Sequence, residues 1–216
     1  MGSTRVEKVR TLIRRARTED RAGESLRKAL ERRRGKLHGA IKLPPEKAEW
    51  ALRDFALRYI EHLPECVEAI GEMAREAKLN ARVQPLLNIA CDYFLAPPDL
   101  IRQHQHLEAL LDAAYLAHRL LEEVNDHFMS HSGIPLAPMD TTRANVIAHE
   151  LIGEPFANEL DQAVLFSAGL LLNEYPFKGQ AFQRYINRHK RRGWSEELQR
   201  WPCLATNLEI DLRFSA

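Results

Sequence analysis

From Leu107 to Met129 the chain repeats its apolar residues at intervals of three and four, as Leu107, Leu110, Leu111, Ala114, Ala117, Leu121, Val124 and Phe128. A period near 3.6 stacks such residues on one side of a helix, whereas a strand alternates at every second position. No strand-type alternation longer than a few residues occurs elsewhere, and no internal repeat is present. The other segments are shorter versions of the same helical pattern. The sequence therefore predicts an all-α fold, a single helical bundle of seven or eight helices.

Proline and glycine mark where those helices start and stop. Pro44 and Pro45 precede a stretch with Trp50, Phe55, Tyr59, Ile60 and Leu63 in helical rhythm. Pro64 is read as ending that helix and opening the next, with Val67, Ile70, Met73, Ala74 and Ala77 inward. A third runs from Pro85 to Leu95 and stops at Ala96-Pro97-Pro98; Asp99 caps a short turn before the long helix. Asp140 reads as the N-cap of a helix that ends at Gly153. A helix over Phe156–Tyr175 follows, then a basic amphipathic one over Lys178–Arg192 ended by Gly193. Ahead of this body, residues 3–17 and 25–37 carry thin apolar stripes, Val6, Val9, Leu12, Ile13 and Ala16, then Leu26, Leu30 and Leu37. Stripes that narrow need the body, or a partner, to hold the helices. The organisation expected is a basic N-terminal arm, 1–42, and an all-α globular domain, 43–216.

Net charge is +1, but the sum hides a segregation. Residues 1–42 hold 14 Lys/Arg against 5 Asp/Glu, residues 43–175 hold 9 against 21, and residues 176–216 hold 8 against 4. Within the arm, Arg14, Arg15, Arg17, Arg32, Arg33, Arg34 and Lys36 are candidate contacts for phosphates or an acidic surface, since clustered guanidinium groups match both charge and fork geometry. No aromatic residue lies among them to stack on bases. The opposing expectation is that the arm docks on the chain's own acidic body.

A chain of 216 residues buries roughly 70% of its unfolded surface, so it requires no disulfide or metal to fold. Cys66, Cys91 and Cys203 are odd in number and include no Cys-x-x-Cys pair, which fits a reducing cytosol better than a disulfide framework. The N-terminus lacks the apolar core of a secretory signal. The longest apolar stretch, Ala163–Leu172, is interrupted by Ser167 and Gly169 and falls far short of the roughly 20 residues of a membrane span. Gly-x-Gly-x-x-Gly, Walker A and Gly-x-Ser-x-Gly sequences are missing, no cysteine is read as having a neighbouring histidine, and no cofactor is called for.

The histidines are uneven: His104, His106, His118, His127, His131 and His149 fall between 104 and 149. His127 and His131 are four apart, a spacing that suits one metal, but they lie away from the apolar arc, among solvated groups. His118 and Asn125 project into or beside the arc, with Glu122 at its border. His118, Glu122 and His149, with Glu150, are therefore the candidate residues for a metal or acid–base site. The opposing reading is an internal hydrogen-bond network that reaches Tyr115 or another helix, since burying a polar group unpaired costs about 1–3 kcal/mol. His149-Glu150 resembles half of a His-Glu-x-x-His zinc motif, but Gly153 stands where the second histidine belongs. The Glu-x-x-His pairs of di-iron bundles are absent from the sequence.

One stretch, about residues 85–120, resembles the YkvA-like bacterial domain of unknown function. Tyr93, Pro97, Asp99, Leu100 and Ile101 match its Tyr-x-x-x-Pro-x-Asp-Leu-Ile turn, and Leu111 and Asp112 match its second helix. The chain has Arg102-Gln103 in place of the usual Pro-Asp, and Asp112-Ala113 in place of paired aspartates. The resemblance implies a local helix–turn–helix arrangement and no reaction. The functional expectation is a cytoplasmic binding or regulatory protein without catalysis that engages a protein partner or a second copy of itself. The alternatives are a metal-dependent bundle enzyme around His118, Glu122 and His149, and a nucleic-acid-associated factor using the basic arm.

Overall fold

The computed structural model describes residues 4–19, 24–102, 104, 106–138, 141–172, 180–193 and 210–212. Eight helices occur among them: α1 (Arg5–Glu19), α2 (Glu24–Arg34), α3 (Ala48–Glu76), α4 (Asn80–Leu95), α5 (His106–Ser132), α6 (Thr142–Ile152), α7 (Phe156–Leu172) and α8 (Gln180–Arg192). A 3-10 turn, Asp99–Ile101, links α4 to α5. The fold is an all-α bundle, with one small exception. Ile41–Lys42 (β1) and Asp211–Leu212 (β2) pair antiparallel, Ile41 with Leu212.

Helix α5 is the axis. It packs against α1, α2, α3, α4, α6 and α7, and Phe128 meets the rings of Phe182 and Tyr185 on α8 edge-on. All residues from Leu110 to His118 are buried, so this part of the helix has no solvent face. The arc read from sequence is real but too narrow. Ala113, Tyr115, Leu116 and Leu120 are also buried, because neighbours close on α5 from every side. A helix apolar on every side is one that others surround.

Helices α1 and α2 belong to the same core. Val9, Ile13, Leu26 and Leu30 are between 0% and 4% exposed and pack with the residues of α3–α5. Burying each such side chain stabilises by about 1.5–3 kcal/mol, which explains how two thin stripes suffice once a body is present. Their cations face the body's acids: Arg10 forks onto Glu68 at 2.6 and 2.8 Å, Arg5 meets Asp92 at 3.4 Å, and Arg17 meets Glu61. The charge segregation is met inside the molecule.

Pro64 does not divide the chain there. It lies within α3, which runs 29 residues without interruption. Proline deletes the bond to the Ile60 carbonyl and costs about 3 kcal/mol in a helix interior. Its flanks outweigh that, since Ile60, Leu63, Cys66 and Val67 are all at most 4% exposed, and a break would withdraw them from the core. Asp140 lies outside the described residues. Thr141 holds the N-cap position of α6, with no side-chain capping bond. Gly153 and Gly193 do end their helices, at φ of 88° and 69°. The positive φ requires glycine at 153, and a Cβ there would also push aside the Arg33 guanidinium.

Candidate functional site

Three groups of interior polar side chains lie along α5. Nearest its C-terminal half is a charged lattice built on Arg119, whose Nε donates to Asp161 at 3.0 Å while its other nitrogens reach Glu122 and Glu123. Tyr115 donates to Asp161 at 2.9 Å. Asn145 Nδ2 donates to Glu122 at 2.7 Å and takes a bond from the Tyr59 hydroxyl at 2.6 Å. His149 joins through Asn158 at 3.1 Å and lies 3.5 Å from Asp161. Glu122 and His149 therefore meet in one network spanning α5, α6 and α7. The carboxylates are held by Arg119, so their lone pairs are committed to a cation already present. The network includes Tyr115, but His118 and Asn125, around which the sequence suggested such a network, bond elsewhere, to the Tyr59 carbonyl and the Ala137 N–H. Glu150 serves structure: its carboxylate accepts the His38 N–H and its carbonyl accepts two bonds from Arg33.

The second place is a cleft of about 290 Å³ among α2, α5 and α6, lined by Arg32, Arg33, His104, Glu108, Asp112 and Phe156 among others. Asp112 is 2% exposed and its Oδ2 stands 2.5 Å from His104 Nδ1. Burial raises the Asp112 carboxyl to about 6 even though His104 draws it down. His104 is itself raised, chiefly by the bond to Asp112. Both directions have one meaning: the pair holds its shared proton more tightly than either group would in water. Asp112 is a position singled out in the sequence, but the histidine that completes it comes from the loop before α5.

The third place contains His118, and neither Glu122 nor His149 shares it. His118 is fully buried, and its Nε2 donates to the Tyr59 carbonyl at 3.0 Å. Its ring stacks on His62 with centroids 5.8 Å apart. Cys66 Sγ lies 3.1 Å from His62 Nδ1. Burial and, secondarily, His62 lower His118 to about 3, and burial raises the Cys66 thiol well above its usual range. Read from the sequence, no cysteine has a neighbouring histidine. The signal was there as His62-x-x-x-Cys66 on the apolar side of α3, but placing a helix end at Pro64 put the two residues on different elements.

The remaining predicted residues disperse. Arg14 and Arg15 engage Thr11 and Glu19 on their own helix. Arg32 pairs with Glu108 at 3.3 Å. Arg33 turns inward to Glu150, and Arg34 lines a shallow groove beside Trp50. Lys36 is exposed. Among the described residues, Arg14, Arg15, Arg17, Arg32 and Arg33 each have a partner within the chain. The rings of His127 and His131 meet at a tilt of 48°, with centroids 4.5 Å apart.

Two further surfaces stand out. The outer face of α8 bears Arg184, Arg188, Arg191 and Arg192. On α7, Leu165, Phe166 and Leu170 are 53%, 69% and 62% exposed, while Leu160, Val164 and Ala168 on the opposite face are 0–5% exposed. Among the described residues, no helix is long and apolar enough to cross a membrane. No protein-family model matches this chain, and neither a curated protein nor a solved structure matches it.

Proposed function

We propose that this chain is a cytoplasmic, non-catalytic helical binding module, and that α7 is the element with which it holds a protein partner. The supporting observation is that α7 is apolar on two faces and the bundle covers one of them. At about 100° per residue, Leu165, Phe166 and Leu170 share an outer arc of about 140° with Gln162 and Glu159. Phe166 and Leu170, four residues apart, are neighbours on that arc, with Leu165 at its far edge; exposed large apolar side chains are the anchor chemistry of helix-in-groove and helix-on-helix contacts. The occupant that fits is an amphipathic helix of another protein, flanked by Lys or Arg. Glu154 and Glu159 are exposed at the N-terminal end of this face, and α7 contains no basic residue.

The test places a photo-crosslinking residue at Leu165 and, as a control, at Met129. One partner protein should crosslink from position 165 alone, through a segment with basic-flanked helical spacing, and Phe166→Glu should abolish the product. Stability of Phe166→Glu should stay within about 0.5 kcal/mol of wild type, as for other exposed positions. Equal crosslinking from Met129, crosslinking only to a second copy of this chain, or no product at all would overturn the proposal.

A further inference from the structure

The cluster between α3 and α5 has features that a packed core does not require. His62 and Cys66 are four residues apart, so one face of α3 carries both, and α5 sets His118 opposite them. One nitrogen or sulfur from each residue lies within 4.8 Å of the others. Exposure is 8%, 0% and 0% for His62, Cys66 and His118. Because a carbonyl can only accept, the Tyr59 bond fixes the His118 proton on Nε2 and leaves a lone pair on Nδ1. That atom is buried and has no hydrogen-bond partner among the described residues. An unsatisfied buried nitrogen costs about 1–3 kcal/mol. Leucine or phenylalanine would fill the space without that cost.

The geometry points to a zinc site whose three protein ligands are His62, Cys66 and His118. Zinc takes cysteine sulfur at about 2.3 Å and histidine nitrogen at about 2.0 Å in a tetrahedron, which sets ligand atoms about 3.3–3.7 Å apart. Cys66 Sγ stands 3.1 Å from His62 Nδ1, and all three ligand atoms fall within 4.8 Å of one another, the scale of a single coordination sphere. A metal-bound histidine regularly donates its other N–H to a carbonyl or carboxylate, and the His118–Tyr59 bond already has this form. One thiolate and two imidazoles select zinc or copper over magnesium and calcium. Two histidines that stay neutral need shed no proton to bind. Cys66 enters as a thiol, so the Zn–S bond forms as the S–H bond breaks and one proton passes to solvent. No oxidation occurs. No fourth His, Cys, Asp or Glu joins the group among the described residues, leaving the fourth corner to a small donor such as water or chloride.

The site lies apart from the outer face of α7, so it stands or falls independently of the partner reading. Full-length protein is stripped with chelator, reloaded with zinc or cobalt(II), and assayed for metal content, thermal unfolding and absorption. One equivalent of zinc per chain should bind and raise Tm, and cobalt should give a thiolate-to-metal charge-transfer band. Cys66→Ser should remove that band. His62→Gln and His118→Gln should each weaken zinc binding at least tenfold, in variants checked for retained helical circular dichroism. Cys91→Ser and Cys203→Ser should bind as wild type does; Cys203 is outside the described residues. Less than stoichiometric zinc after reloading, copper binding without zinc, or a cobalt band that survives Cys66→Ser would overturn the assignment.

Discussion

His118 sits within α5 and His104 just before it, and the two meet different neighbours. His104 faces a buried carboxylate, Asp112, across a cleft open to solvent. His118 faces a thiol, a second imidazole and a backbone carbonyl, with no acid hydrogen-bonded to it among the described residues and no exposed surface. The first is raised by its partner and the second is lowered by desolvation. A histidine poised to hold a proton thus precedes the helix, and one poised to refuse a proton lies within it.

The largest effect that would break this contrast is acid lability. His118 has a folded value near 3, below its free value of 6.5. The unfolded chain therefore takes up a proton first, and stability is lost as pH falls from 6.5 towards 3. In metal-free protein this histidine should remove about 3 kcal/mol between pH 7 and pH 4. Urea unfolding at both values should show that loss shrink in His118→Gln. A variant with unchanged acid sensitivity would show that burial does not govern this residue.

A substitution at the cleft should come next. Gly153→Ala meets both a φ of 88° and the Arg33 guanidinium, and should cost about 2 kcal/mol or more. The same change made in Arg33→Ala should cost less, because only the backbone strain remains; equal costs would separate Arg33 from the requirement for glycine. The smallest effect concerns the pair itself. Asp112 and His104 both bind protons more tightly folded than unfolded, so their contribution is greatest at low pH and is lost as pH rises through their raised values. In Asp112→Asn, the His104 value measured by NMR should fall towards 6.5. Stabilisation on going from pH 8 to pH 5 should drop by about 1 kcal/mol. An unmoved His104 would show that Asp112 does not set its charge.

What could be read in advance follows from the range of the forces involved. Helix ends at Gly153, Gly193 and Pro97-Pro98 are legible because backbone conformation is a local property. The burial of His118 and Asn125 is legible from a wheel for the same reason. The meeting of Glu122 and His149 through Arg119 and Asp161 is not, because it depends on how α6 and α7 cross α5. Pro64 misled because its local cost is real, but the burial of Ile60, Leu63 and Val67 that overrides it comes from other helices. His104 with Asp112, and His62 with His118, are tertiary pairings that no spacing along the chain announces.

The two-residue ribbon of Ile41–Lys42 with Asp211–Leu212 has a consequence for synthesis. The partners lie about four fifths of the chain apart, and closing so long a loop carries an entropy cost that local helices avoid. As the polypeptide leaves the ribosome, α1 to α5 can assemble around one another while β1 still waits for its partner. The clasp is made last, after α8 has emerged. Arg143, which donates to the Ile210 carbonyl and pairs with Asp211, then locks the closing strand onto α6. A nascent chain is thus largely folded before it is fastened.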